Sequence, residues 1–219
     1  MNISSAKFIK RINIYINMPK SFSEGLDEEI IKVCLKISKR GEGALIIVTE
    51  NKNLKYKPLV EQTVPSFNIL KNPKLLESLA LMDGAIILNK KGDMIAYGVK
   101  IHANKVLKNF GTRHSAGLSA SIHKDTVSFI LSEEDRKIRV LKDGKIIMQI
   151  DTLEKGIEKK VSEISHILEG VGVGTIGTIG AGIIATSVGF AGITFIPGVI
   201  VFGGAYYLMK KLKEREGRR

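Results

Sequence analysis

The sequence predicts an α/β fold: a mixed central sheet flanked by helices, followed by a C-terminal hydrophobic helical hairpin. Three observations predict it. Apolar runs of strand length, at 44–48 and 126–131, alternate with stretches in which apolar residues recur at helical spacing. Two further pairs of apolar runs are joined by tight turns, so part of the sheet is antiparallel. From Val171 to Met209 there is no charged residue, which sets the C-terminal part apart from the rest.

Composition sets the outer bounds. The chain has 219 residues, room for one ordinary domain and an appendage. Its formal net charge of +12 points to acidic partners: nucleotides, nucleic acid or anionic lipid. Cys34 is the single cysteine, which excludes an intrachain disulfide and a cysteine-based zinc site. Residues 1–20 hold no long apolar run and do not read as a secretory signal.

In chain order, 1–24 form an N-terminal segment in which 11–17 alternate polar and apolar residues like a strand. Leu26, Ile30, Val33, Cys34 and Ile37 share one face of a helix over 26–39, with Ser23 or Asp27 available to cap it and Gly41 and Gly43 to end it. The uninterrupted run 44–48 fits a central strand covered on both faces. A polar loop follows through Pro58 and Pro65. Pro73 suits the first turn of a helix that buries Leu75, Leu76, Leu79 and Ala80.

The runs 85–88 and 94–99 flank a turn at 89–93 and predict a hairpin, and a basic loop fills 100–110. A helix over 112–122, a strand over 126–131 and a hairpin turning at Asp143-Gly144 complete a domain spanning 25–150. Residues 151–169 predict a linker helix with Leu153, Ile157, Val161, Ile164 and Leu168 on one side. Residues 170–212 are long enough for two membrane spans with a break around Pro197, and a basic tail, 213–219, follows. Lysines before and after the segment place both flanks on the cytoplasmic side if it crosses twice. The alternative is a glycine-rich buried helix pair in a soluble protein.

Chemistry concentrates in two places. Gly111-Thr112-Arg113-His114-Ser115 opens a helix: a glycine for close backbone approach, Thr112 as N-cap, and free N–H groups for an anion. Arg113 offers a planar fork for phosphate oxygens, and His114 a group that titrates near neutral pH. Asp83, in Asp83-Gly84-Ala85, brings a carboxylate from another element. A carboxylate opposite a phosphate-gripping helix start is what metal-assisted phosphoryl or nucleotidyl transfer requires. Read separately, Asp-Gly is a common turn and the second stretch an ordinary N-capped helix.

Asp83-Gly84-Ala85, then Gly92 to Gly98, then Gly111-Thr112-Arg113-His114, then Leu131-Ser132-Glu133-Glu134 occur in the order found in the diadenylate cyclase domain, and over 25–150 the chain resembles that family. The resemblance implies condensation of two ATP into cyclic di-AMP and two pyrophosphates. It implies Asp83, Arg113 and His114 as catalytic residues. The nucleotide would touch Gly84, Ala85, Ile101, Gly111, Thr112, Arg113, His114 and Ser115. Asp83, with Glu133 or Glu134, would hold a divalent metal (manganese, magnesium or cobalt), although 133–135 also reads as a solvated turn. Two sites must face each other, so a homodimer or higher oligomer is implied; the remaining partners are ATP and a membrane, with the catalytic domain cytoplasmic and no nucleic acid. Ser115 stands where family members often carry arginine, and Met82 where one branch has histidine. These departures motivate an alternative, a catalytically weak or inactive sensor of the same fold that binds ATP or cyclic di-AMP.

Overall fold

The computed structural model of the chain describes residues 25–103, 111–173 and 193–195. The strand expected at 11–17 and most of the expected hairpin segment lie outside them. The described elements are helices α1 (Leu26–Lys39), α2 (Pro73–Ala80), α3 (Thr112–Ser121) and α4 (Val161–Val173), and strands β1 (Ala44–Thr49), β2 (Tyr56–Pro58), β3 (Ala85–Leu88), β4 (Met94–Ile101), β5 (Thr126–Leu131), β6 (Lys137–Lys142), β7 (Lys145–Asp151) and β8 (Ile193–Phe195).

The strands form one mixed sheet in the order β2-β4-β3-β1-β5-β6-β7-β8. Only β1 and β3 pair in parallel, with Ile46 beside Ile86. The other neighbours are antiparallel. All six residues of β1 are buried, as an uninterrupted apolar run at the sheet centre demands. Helices cover both faces. On one face α1, α2 and α4 press Leu26, Ile30, Ile37, Leu76, Ile164 and Leu168 against Ile46, Ile86 and Phe129. On the other, α3 brings Leu118 and Ala120 onto Leu45, Ile47, Ile87, Ile130 and Leu141.

Local chemistry sets the ends of these elements. Acidic Asp27, Glu28 and Glu29 in the first turn of α1 and Lys36 and Lys39 in its last match the helix dipole. The N-cap is Gly25, and Asp27 lies inside the helix, buried. Gly41, at φ +86, closes the helix: its N–H bonds the Ser38 carbonyl while Glu42 N–H reaches Ile37. The β6–β7 hairpin turns on Asp143 and Gly144, both at positive φ, the geometry that matches strand twist.

Two expectations need correction. Residues 56–58 are a short exposed strand pairing with β4 rather than loop. Helix does not begin at 151: turns and a 3-10 turn at Ile157–Lys160 precede α4, and Leu153 is 71% exposed instead of sharing the buried face of Ile157, Val161, Ile164 and Leu168. Most of the apolar C-terminal stretch, and with it the expected helical hairpin, lies outside the described residues. Within it, Ile193–Phe195, in the region where the break was expected, is strand β8 paired with Met148–Ile150 of β7, and α4 extends to Val173. Among the described residues, no helix is long and apolar enough to cross a membrane.

Candidate functional site

The parallel pairing of β1 and β3 brings the two motifs to one end of the sheet. Leu45 lies level with Ala85 in that register, so Gly43, just before β1, lies level with Asp83, just before β3. Adjacent strands are about 4.8 Å apart. On the other side of β1, Ala44 pairs with Leu131, so the Ser132-Glu133 turn leaves β5 at the same end. Val99 pairs with Ala85 and brings the last residues of β4 there too.

Asp83 is exposed, and its Oδ1 accepts the Gly84 N–H at 2.9 Å, which folds the carboxylate back over the turn. Gly84 sits at φ +97, and a Cβ on it would stand 2.7 Å from the Val99 nitrogen and 2.8 Å from its carbonyl oxygen. Only glycine lets β3 start this close to β4. Ala85 is buried in the core beneath α3.

Helix α3 starts at Thr112, with Gly111 as N-cap. Thr112 is therefore the first helical residue, not the cap. Gly111 is extended, at φ −70 and ψ 179, with open space around its missing Cβ. Its conformation is one that any residue adopts, so the expected need for glycine angles does not hold there. The Gly111 carbonyl accepts from the His114 and Ser115 N–H groups, which leaves the first N–H groups of the helix directed outward.

What places this helix start is close packing that the motif does not advertise. A Cβ on Gly117 would stand 2.7 Å from Ile130 Cδ1, and the Ser128 hydroxyl donates to the Gly117 carbonyl at 2.9 Å. The small residues of α3 thus lay its backbone on β5, with Arg113 over the end of β1. There the Arg113 Nη1 faces Glu133 at 3.6 Å, a half-exposed pair of little energetic weight. A Cβ on Gly43 would stand 2.9 Å from the same Nη1. Gly43, expected only to end a helix, is the floor beneath the guanidinium. Neither Gly43 nor Gly117 carries a signal in the sequence, because each matters for what it lacks.

His114 turns inward. It is 6% exposed, and its Nε2 lies 3.1 Å from Nη1 of Arg139, itself 5% exposed on β6. Arg139 also pairs with the Asp135 carboxylate and reaches Gln149 Oε1 at 3.2 Å. Burial, then the adjacent guanidinium, bring the His114 pKa down to about 4, with Asp135 opposing. The expected titration near neutral pH is corrected accordingly: His114 is uncharged there. Ser115 is buried. Ile101 is 4% exposed and packs in the core under α3. Glu134 is exposed in the turn after β5. The sheet end thus brings together Asp83, Gly84, Arg113 and Glu133, and sets His114 and Ser115 behind them. Among the described residues no three histidine, cysteine, aspartate or glutamate side chains converge as a metal cage.

The family model described as "DisA bacterial checkpoint controller nucleotide-binding" (DAC) matches residues 31–146. A Haloferax volcanii protein named diadenylate cyclase is 27% identical over 152 residues, 58% of this chain and 53% of its own length. A Methanocaldococcus jannaschii protein of the same name is 27% identical over 173 residues, 69% of this chain and 54% of its own length. The chain spans about half the length of these curated relatives. The crystal structure of DacA from Staphylococcus aureus is similar at 25% identity and a TM-score of 0.45, covering 64% of this chain and 95% of that one.

Proposed function

The chain belongs to the DisA bacterial checkpoint controller nucleotide-binding (DAC) family, and from that premise we propose that it is a diadenylate cyclase, a nucleotidyltransferase that joins two ATP into cyclic di-AMP. The observation that carries the reading is the convergence at one sheet end of a carboxylate, Asp83, and a helix start bearing Arg113, from elements separate in sequence. In the reaction each ribose 3′-oxygen attacks the α-phosphorus of the other ATP. Two phosphodiester bonds form, two bonds to pyrophosphate break, and each hydroxyl loses a proton.

Asp83 is the group that accepts the proton from the attacking 3′-hydroxyl. Arg113 and the outward N–H groups at the start of α3 bind the phosphates and stabilise charge that develops there. Gly84 and Ala85 present backbone to the nucleotide. A divalent cation (manganese, magnesium or cobalt), when bound, offsets phosphate charge. Asp83 would be its protein ligand, with Glu133 or Glu134, from the far side of β1 at the same sheet end, as a second, because such ions are commonly held by one or two carboxylates plus substrate phosphates. Each chain holds one Asp83 and one α3 start, so a symmetric double attack requires two copies face to face.

A second reading, a binding-only member of the fold, draws support from one observation: Arg113 faces Glu133 and His114 faces Arg139, so both motif side chains are engaged within the protein. One experiment separates the two. The full chain is incubated with ATP and each divalent ion, with Asp83→Asn beside it, and products are resolved by chromatography and mass. Cyclic di-AMP from the wild type and none from the variant supports the cyclase. ATP binding without product under every ion supports the binding module, and neither binding nor product sinks both.

A further inference from the structure

Arg139 occupies the middle of β6, between Ile130 of β5 and Gln149 of β7. Ile130 is the residue onto which Gly117 of α3 presses, so the guanidinium lies beneath the helix that carries Arg113 and His114. A buried cation is tolerated where partners surround it, and among the described residues these include the Asp135 carboxylate, the Gln149 amide oxygen and the imidazole of His114. A guanidinium has only donors and does not give up its proton. The Nη1–H that approaches His114 Nε2 at 3.1 Å must therefore meet a lone pair. Nε2 carries no proton, and the ring keeps its one proton on Nδ1.

On these grounds, and resting on the cyclase reading above, we propose that Arg139 is a positioning residue of the site: it locks His114 as a neutral Nδ1–H donor, so that Arg113 is the sole cation among the motif side chains. Protonating the ring would set N–H against N–H and cation against cation. Among the described residues, the charged groups that act on the ring are the Arg139 guanidinium from β6 and the Asp135 carboxylate from the turn before it. Asp135, which favours the protonated ring, is already engaged by the guanidinium. The consequence is a phosphate grip whose side-chain charge stays constant from about pH 5 to pH 8.

The test uses the full chain labelled with 15N in its imidazoles, with His114 assigned by the signal lost in His114→Gln. The wild type should show a pyridine-type Nε2 and a pyrrole-type Nδ1 at pH 7, with no His114 titration above pH 5. In Arg139→Met the titration midpoint should rise by at least one pH unit, and the pH profile of kcat should gain an acid limb at that midpoint. Arg139→Lys, which keeps a donor and a charge, should restore the wild-type tautomer in part. Should Arg139→Met unfold, the Arg139→Met/Asp135→Asn pair removes both charges of the ion pair and provides the same readout. A proton on Nε2, or a His114 midpoint near 6.5 in the wild type, overturns the proposal. A chain with the expected spectrum that makes no cyclic product under any metal overturns the cyclase reading and leaves the lock in place.

Discussion

Replacing Gly84 with alanine tests whether the Asp83 turn is as tightly built as the geometry requires. Gly84 has φ +97, a region where an L-residue costs about 1–2 kcal/mol. The added Cβ would also stand 2.7 Å from the Val99 nitrogen, 2.8 Å from its oxygen and 2.9 Å from the Gly98 carbonyl carbon. All three are backbone atoms of β4, which is held on both edges by β2 and β3, so relief means parting strands. Overpacking of this kind costs about 1–3 kcal/mol. The sum, about 2–5 kcal/mol, is a large share of the roughly 5–15 kcal/mol that stabilises a domain. Gly111→Ala is the control: its φ is ordinary and its Cβ would meet nothing within 4 Å, so less than about 1 kcal/mol is expected. Denaturant unfolding of the full chain, followed by circular dichroism, reads both. A Gly84→Ala variant within about 1 kcal/mol of wild type, or a Gly111→Ala variant equally damaged, would refute the reasoning.

Two further outcomes are expected. Gly43→Ala should displace the Arg113 guanidinium, whose Nη1 its Cβ would meet at 2.9 Å, at some cost in stability because the same Cβ stands 3.0 Å from the Leu131 carbonyl oxygen. ATP affinity should fall about tenfold, the scale of one charge-assisted hydrogen bond, as measured by calorimetry; unchanged affinity would remove Arg113 from the phosphate grip. His114 contributes a pH-dependent stability of definite sign. Its folded pKa, about 4, is below the ordinary 6.5, so the unfolded chain binds the extra proton between those values. The contribution is whole above pH 6.5 and is lost as pH falls toward 4, up to about 3 kcal/mol. Unfolding series at several pH values should show that loss in the wild type and a flatter profile in His114→Gln; parallel profiles would contradict the buried neutral ring.

Periodicity and turn chemistry carry far in this chain. The helix over 26–39, the buried run at 44–48, the hairpin around 89–93 and the Asp143-Gly144 turn all follow from local patterns, and all appear where those patterns put them. Order along the chain also made Asp83 and Arg113-His114 legible as candidates, and the β1–β3 register brings the elements that carry Asp83 and Arg113 to one sheet end. Local pattern failed where partners are distant. The three residues 56–58 look like loop because their strand exists only through pairing with β4. Leu153 fits a helical stripe, but turns intervene before the helix forms at Val161.

The residues themselves thus dictated the α/β fold class, most of the described elements and which side chains are candidates for chemistry, because helix, strand and turn propensities act over a few positions. Tertiary structure alone decided what those side chains face. The parallel β1–β3 register sets Asp83 level with Gly43, the missing Cβ of Gly117 seats α3 on β5, and burial, with Arg139 brought beside the ring from a distant part of the sequence, turns His114 from an expected titrating group into a neutral one. The physical reason is that hydrogen bonding, desolvation and close packing depend on which atoms meet in space, and no spacing along the chain encodes that.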